Sequence, residues 1–339
     1  MLQLSVEAIK PETADTTTFY LKEISGMPVA YKAGQFITLI INNHGEEIRR
    51  SYSLSSSPHE DLLAVTIKRI PNGEITRYLH TYAQVGDVWN IVEPAGRFTV
   101  PTNKHDTTRV YFIAGSGITP AYAHFKYLLN KADNSRILLF YSNVSESSVI
   151  FKSELEQLAL KHTGRFTVVH LISNKGKRLN NIVAEQLVRT YLPQSFENAQ
   201  YYLCGPFTYM RMVRLTLLFM GIDDVNIHKE NYVLETVPVS STVSNFAPQN
   251  LRIYYLNKWH NLQAGSNQTI LQAALQNQLP IPYSCGGGVC AACAVKCKSG
   301  KVIMVKNEVL TDAEILRGWV LTCTGFALSN NVELDFTEG

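Results

Sequence analysis

Four cysteines toward the C-terminus carry the most specific chemistry in the chain. Cys285, Cys290 and Cys293 form a C-x4-C-x2-C array inside Tyr283-Ser-Cys-Gly-Gly-Gly-Val-Cys-Ala-Ala-Cys293, and Cys323 follows in Leu-Thr-Cys-Thr. Two irons bridged by two sulfides leave four positions for thiolates. One tight loop can supply three and the fourth arrives from elsewhere in the fold, which is the spacing of a plant-type [2Fe-2S] cluster. The glycines after Cys285 let the backbone wrap closely and aim N–H groups at the sulfides. A structural zinc site fits less well, because it pairs two short knuckles and Cys323 stands alone. A disulfide needs an oxidising compartment, to which nothing in the chain points. Cys297 is not needed as a ligand and reads as strand core.

An electron carrier needs a source, and the residues ahead of the cysteine loop are expected to contain it. Residues 1–104 read as short strands between turns. Gln35–Ile41, Ser51–Leu54 and Leu63–Lys68 are rich in β-branched and aromatic residues, and such strands in close succession suggest a small antiparallel barrel with one helix, from about Gly73 to Tyr82. Within it, Arg50-Ser-Tyr-Ser53 alternates faces, with Arg50 and Tyr52 on one side and Ser51 and Ser53 on the other. Guanidinium, aromatic ring and hydroxyl suit a phosphorylated aromatic cofactor, with the arginine gripping phosphate in bidentate fashion. The same pattern also describes an edge strand with a solvated arginine. Lys68, and Gly73-Glu-Ile-Thr76 at the start of the helix, offer a phosphate cradle. Taken alone, the latter is an ordinary capped helix.

With these residues in view, the chain resembles the ferredoxin–NADP reductase-type flavoproteins that carry a C-terminal plant-type ferredoxin domain. That is the layout of reductase components of multicomponent oxygenases, such as that of phenylacetyl-CoA epoxidase. The resemblance implies that Arg50, Ser51, Tyr52 and Ser53 bind flavin, and that Thr66, Ile67 and Lys68 with Gly73 to Thr76 hold the ribityl chain and pyrophosphate. The second phosphate-binding segment favours FAD over FMN. Pro94-Ala-Gly-Arg-Phe98 resembles the turn that closes the flavin barrel.

From Thr108 the pattern changes to strand–loop–helix alternation, the mark of a parallel α/β layer. The strand Val110–Ala114 leads into Gly115-Ser-Gly-Ile-Thr-Pro120 and a helix through Leu129, with Thr119 as N-cap and Pro120 at the first helical position. Gly115, Ser116 and Gly117 lack the third glycine of the usual dinucleotide fingerprint but resemble the reductase family's G-x-G-I-x-P. Further strands are expected at Ile137–Tyr141, Phe166–His170 and Gln200–Cys204. The turn Cys204-Gly205-Pro206 implies, by the resemblance, contact with the nicotinamide; as residues alone, Cys204 is also a small buried hydrophobe. Glu230 and Tyr232 in His228-Lys-Glu-Asn-Tyr232 resemble the family's motif near the second flavin face. The choice between NADH and NADPH stays open. Lys175, Lys177 and Arg178 could hold a 2′-phosphate or form a solvated basic loop.

Residues 234–248, with two prolines and many small polar residues, have linker composition and span at most about 50 Å when extended. Residues 249–339 open with a hairpin (Leu251–Tyr255, Leu262) and a helix at about Thr269–Gln276 before the cysteine loop. Lys296, Lys298 and Lys301 hint at an acidic or apolar acceptor surface. The expected architecture is therefore a multidomain chain. It comprises an antiparallel FAD-binding β-barrel at 1–104, an α/β parallel-sheet NAD(P)-binding domain at 105–233, a linker, and an α+β β-grasp ferredoxin domain at 249–339.

The whole implies an oxidoreductase that passes electrons from NAD(P)H through FAD to a [2Fe-2S] cluster and on to a partner oxygenase. The resemblance points to a diiron mono-oxygenase or epoxidase of the phenylacetyl-CoA type. Reductases for a fatty-acid desaturase or a Rieske oxygenase are the alternatives, and a non-catalytic zinc scaffold is the alternative of another class. At 339 residues, 45% hydrophobic, 17% charged and net +3, the composition is that of a globular protein too weakly basic to argue for nucleic acid. No run of about 18 apolar residues suggests a membrane span. No apolar stretch at the N-terminus suggests export, so a reducing cytoplasm is expected.

Overall fold

A computed structural model describes residues 2–43, 46–71, 73–101, 107–131, 135–194, 196–232, 246–283, 285–289 and 291–338. The β-branched and aromatic runs of the N-terminal segment form six strands: β1 (Leu2–Thr13), β2 (Thr16–Glu23), β3 (Phe36–Asn43), β4 (Glu46–Ser53), β5 (Leu63–Lys68) and β6 (Val88–Ala95). They pair in the order β4-β3-β6-β1-β2-β5. An antiparallel bridge from Leu54 to Val65 joins the two outer strands, so the sheet closes on itself as a barrel. Leu4, Val6, Phe19, Leu21, Ile37, Leu39, Val65 and Ile67 fill it, and α1 (Glu74–Tyr82) adds Ile75 and Leu79 to the same core.

The alternating pattern from Thr108 builds β7 (Thr108–Ala114), α2 (Ile118–Leu129), β8 (Arg136–Asn143), α3 (Lys152–Lys161), β9 (Phe166–Ile172), α4 (Asn181–Tyr191), β10 (Gln200–Cys204), α5 (Phe207–Phe219) and β11 (Ile227–Glu230). These strands are all parallel, in the order β11-β10-β7-β8-β9. All five residues of β10 are buried, as a central parallel strand covered on both faces requires. The chain leaves β7 toward β8 and β9, then crosses back to β10. The order therefore reverses between β7 and β10, the place where sheets of this kind open a ligand crevice at their C-terminal ends.

The C-terminal part forms β12 (Gln249–Tyr255), β13 (Lys258–Ala264), α6 (Ile270–Gln276), β14 (Ala294–Ser299), β15 (Val302–Met304), α7 (Asp312–Leu316), β16 (Trp319–Leu321), β17 (Gly325–Ala327) and β18 (Val332–Asp335). Five of its strands make a mixed sheet, β13-β12-β18-β14-β16, in which β12 and β18 run parallel. Left-handed Leu256 and Asn257 close the β12–β13 hairpin as a two-residue turn. The Thr269 hydroxyl accepts from the Gln272 N–H while the Gln272 side chain accepts from the Thr269 N–H, which fixes the start of α6.

Two compact units emerge: Met1–Pro94 with Phe98–Glu230, and Ala95–Arg97 with Asn231–Gly339. The expected boundary at 104–105 and residues 234–245 of the expected linker lie outside the described residues. Among the described residues no helix is long and apolar enough to cross a membrane. Strands and helices fall within a few residues of expectation. One local expectation fails, because Thr119 is not the N-cap of α2. Gly115–Gly117 form a 3-10 turn that runs straight into the helix, so the backbone is helical from Ile118 and Gly117 takes the cap position. The Thr119 hydroxyl instead donates to the Ser116 carbonyl (3.1 Å). Pro120 then sits within the first turn, where its missing N–H breaks no intrahelical bond.

Candidate functional site

The turns after β7 and β10 meet at the reversal point of the parallel sheet. A Cβ on Gly117 would lie 2.4 Å from the Cys204 carbonyl oxygen and 3.1 Å from its Sγ, so only glycine lets the two loops touch. Gly115 is left-handed (φ +53°), and its carbonyl accepts a hydrogen bond from the Tyr141 hydroxyl (3.0 Å). The Tyr209 hydroxyl donates to the Ile113 carbonyl (3.3 Å). No side chain caps α2; the Ile118 N–H turns back onto the Gly115 and Ser116 carbonyls, and the positive end of the helix faces the turn, which suits a pyrophosphate. Cys204 is fully buried, and in the β10–β11 pairing it stands beside Glu230, whose carboxyl is pushed up to about 8 by desolvation. At neutral pH Glu230 is therefore an acid, not an anion. Lys175, from the basic loop, pairs with Glu146 (2.5 Å).

On the barrel, β4 pairs with β3 so that Ser51 faces Thr38 and their hydroxyls are 2.7 Å apart. Ser53 is buried and Arg50 exposed, its Nη1 donating to the Arg49 carbonyl (2.8 Å). Tyr52 packs on the edge of the barrel core, and burial pushes its phenol well up, so it is a neutral ring with a donor. Ile67 turns into the barrel core, and Thr66, on the opposite face of β5, is buried as well. The Thr66 hydroxyl lies 2.8 Å from that of Thr18 and 2.9 Å from that of Ser55, and Ile67 is core. What these two can offer a cofactor comes from the backbone. Lys68 pairs with Asp15 (3.2 Å). Gly73 stands at the cap of α1, where no side chain caps the helix, and the Thr76 hydroxyl donates to its carbonyl (3.1 Å). A cationic, uncapped rim of this kind fits a phosphate-bearing flavin.

In the C-terminal unit, Cys285, Cys293 and Cys323 come together, with Cys293 Sγ 3.2 Å from Cys323 Sγ. Cys290 lies outside the described residues. The Gly287 N–H points at Cys285 Sγ (3.4 Å), and Gly288 is left-handed where a Cβ would meet the Lys306 carbonyl at 2.6 Å. Sharing hydrogen bonds with Cys285 and Cys293, with Cys323 as the partner that keeps its proton, holds the Cys323 thiol far above its usual range, while the bond to Cys323 lowers Cys293. Converging thiols that cannot all ionise without a cation are a donor set suited to a thiolate-bound iron centre. Cys297 lies half-buried against the core as a strand residue. Lys296 donates to the Arg317 carbonyl.

No motif in the sequence singles out His124, which is buried on α2 and hydrogen-bonded to the Phe98 carbonyl (2.9 Å), or Gly34 beside it. On a helix wheel His124 is one more inward position.

Comparison with known proteins agrees with this layout. An oxidoreductase FAD-binding domain family matches residues 3–100, an oxidoreductase NAD-binding domain family residues 112–215, and a 2Fe-2S iron-sulfur cluster binding domain family residues 254–328. The ferredoxin reductase component of 3-ketosteroid-9-alpha-monooxygenase from Rhodococcus rhodochrous is 32% identical over 98% of this chain and 96% of its own. A component of the 1,2-phenylacetyl-CoA epoxidase from Escherichia coli K12 is 28% identical over 98% of this chain and 97% of its own. The solved structure of phthalate dioxygenase reductase superposes with a TM-score of 0.61 at 22% identity, covering 99% of this chain and 98% of that one.

Proposed function

Since the chain belongs to the reductase components of oxygenase systems, which join FAD-binding, NAD-binding and 2Fe-2S domains in one polypeptide, we propose that it takes electrons from NAD(P)H and hands them singly to a partner oxygenase. The observation that carries this reading is the convergence of Cys285, Cys293 and Cys323 in a chain whose other unit builds a nucleotide crevice at Gly117 and Cys204. Bound FAD would supply two-electron acceptance from a hydride and one-electron release, as a one-electron cluster requires.

The protein's own groups bind and orient. Gly115, Ser116 and Gly117, with the first turn of α2, seat the dinucleotide pyrophosphate, and Thr119 and Pro120 shape that turn. Cys204, Gly205 and Pro206 floor the nicotinamide pocket. Arg50 and Lys68, with Gly73 and the start of α1, hold the flavin phosphates. Tyr52 would stack on the flavin ring, and Ser53 would hydrogen-bond it. Cys285, Cys290, Cys293 and Cys323 would hold the irons of a [2Fe-2S] cluster as thiolates.

For the acceptor, the resemblance favours a diiron epoxidase of the phenylacetyl-CoA type. The higher identity to the ketosteroid mono-oxygenase reductase, 32% against 28%, favours that class as a second reading. Anaerobic NADH or NADPH is expected to bleach the flavin band and raise an iron–sulfur EPR signal. Cys323→Ser should abolish the EPR signal and leave flavin bleaching intact. A colourless zinc protein, or a signal that survives the substitution, refutes the proposal. Reconstitution with each oxygenase class separates the two acceptors.

A further inference from the structure

Helix α2 carries the candidate pyrophosphate turn at its start. Seven residues past Gly117, about 10 Å along the axis, it carries His124, which is fully buried. The Phe98 carbonyl can only accept, so His124 Nε2 holds the proton and donates to it at 2.9 Å. Nδ1 is left to accept from the Tyr111 hydroxyl at 3.2 Å. The imidazole lies nearly flat on the Phe98 ring (centroids 5.2 Å, 26°), and that ring meets Tyr202 edge-on at 5.6 Å, two residues before Cys204.

On the barrel side, the approach is made possible by Gly34, left-handed at φ +92°. A Cβ there would lie 1.9 Å from the Phe98 oxygen and 2.1 Å from His124 Nε2. Gly34 leads into β3, which pairs with β4 along Arg50–Ser53. One ring therefore touches the lead into the flavin-side strands, the exit of the barrel at Phe98, and the helix that seats the nucleotide. Two ion pairs also join the two sheets, Lys126 with Glu60 (2.5 Å) and Lys10 with Glu154. Such partly wet pairs contribute little and allow play. A fully buried, doubly satisfied imidazole does not.

We propose that His124 is a positioning residue that fixes the register between the flavin barrel and the dinucleotide sheet, and so the placement of nicotinamide on flavin. This rests on the reductase reading. Hydride transfer needs the reacting atoms roughly 3–3.5 Å apart, and a displacement of about 1 Å can cost about a hundredfold in rate.

The test is the long-wavelength charge-transfer absorption formed when nicotinamide stacks on flavin, followed on anaerobic mixing of the full-length holoprotein with NADH or NADPH. His124→Leu is expected to retain FAD and nucleotide affinity, to lose most of the charge-transfer band, and to slow flavin reduction roughly tenfold to a hundredfold. His124→Gln, whose carboxamide N–H can reach the Phe98 carbonyl, should restore both. A His124→Leu protein with the wild-type band overturns the proposal. If that variant does not take up FAD, His124→Gln against His124→Asn decides: the shorter side chain should weaken the band, and equal bands overturn the proposal. Wild-type protein that does not bleach with either nucleotide overturns the reductase reading itself, whereas bleaching with equal bands in every variant overturns only this one.

Discussion

Glu230 illustrates what one half-buried, desolvated group does to a fold that must also bind anions. A carboxyl moved out of water resists ionisation, and here desolvation moves it from its ordinary 4.5 to about 8. The folded chain thus holds a proton on Glu230 that the unfolded chain releases above about 4.5. Folded protein binds more protons than unfolded in that window, so stability falls as pH rises from about 4.5 to 8. Glu230→Gln removes the titration while keeping a neutral side chain. We expect the variant to match wild type near pH 5 and to exceed it at pH 8, by on the order of 1–3 kcal/mol, read as the pH dependence of the thermal midpoint. Identical pH profiles would show that the carboxyl is not desolvated. At this scale the sequence is informative only where chemistry forces spacing. Three cysteines must fit one cluster loop, so Cys285 and Cys293 announce themselves. The burial of Glu230 depends on what surrounds the end of β11, which no local pattern encodes.

The elements around the crevice are legible because periodicity reports them. A buried parallel strand reads as an apolar run, and Val110–Ala114 and Gln200–Cys204 do so. What periodicity does not report is how a strand turns into a helix. Thr119-Pro120 reads as a cap and first residue, but two glycines let the chain begin coiling five residues earlier, at Gly115. Nor can alternation on β5 say that Thr66, on the face away from the barrel core, spends its hydroxyl on Thr18 and Ser55. The contact of Gly117 with Cys204 carries a prediction. A methyl group on Gly117 would meet a backbone carbonyl at 2.4 Å, which no side-chain rotation relieves. Gly117→Ala must spread the turns of β7 and β10. We expect a loss of about 1–3 kcal/mol from overpacking and a rise in the Kd for NADH of roughly tenfold or more, with FAD content unchanged. Unaltered nucleotide affinity by titration would place the pyrophosphate elsewhere.

At the scale of the whole molecule, the division of labour follows the division of cores. Leu251, Ile253, Ile270, Val295, Leu321 and Val332 pack into a core confined to the C-terminal unit, and the barrel and the parallel sheet have cores of their own. Polypeptides built this way need not unfold in one step. A cluster held by four thiolates stabilises only the unit that folds around it, because binding energy is added to the state that presents the ligands. Calorimetry of the full chain should therefore resolve two transitions, and Cys323→Ser should lower one of them while leaving the other in place. A chain ending at Glu230 should keep the unaffected transition, retain FAD and still bleach with NADH or NADPH, while losing electron delivery to the partner oxygenase. If that shortened chain fails to retain flavin, or if the cysteine substitution shifts both transitions together, the units are energetically one body. The relay would then have to be understood as a single cooperative fold, not as a nucleotide-driven flavin module carrying a separable iron–sulfur domain.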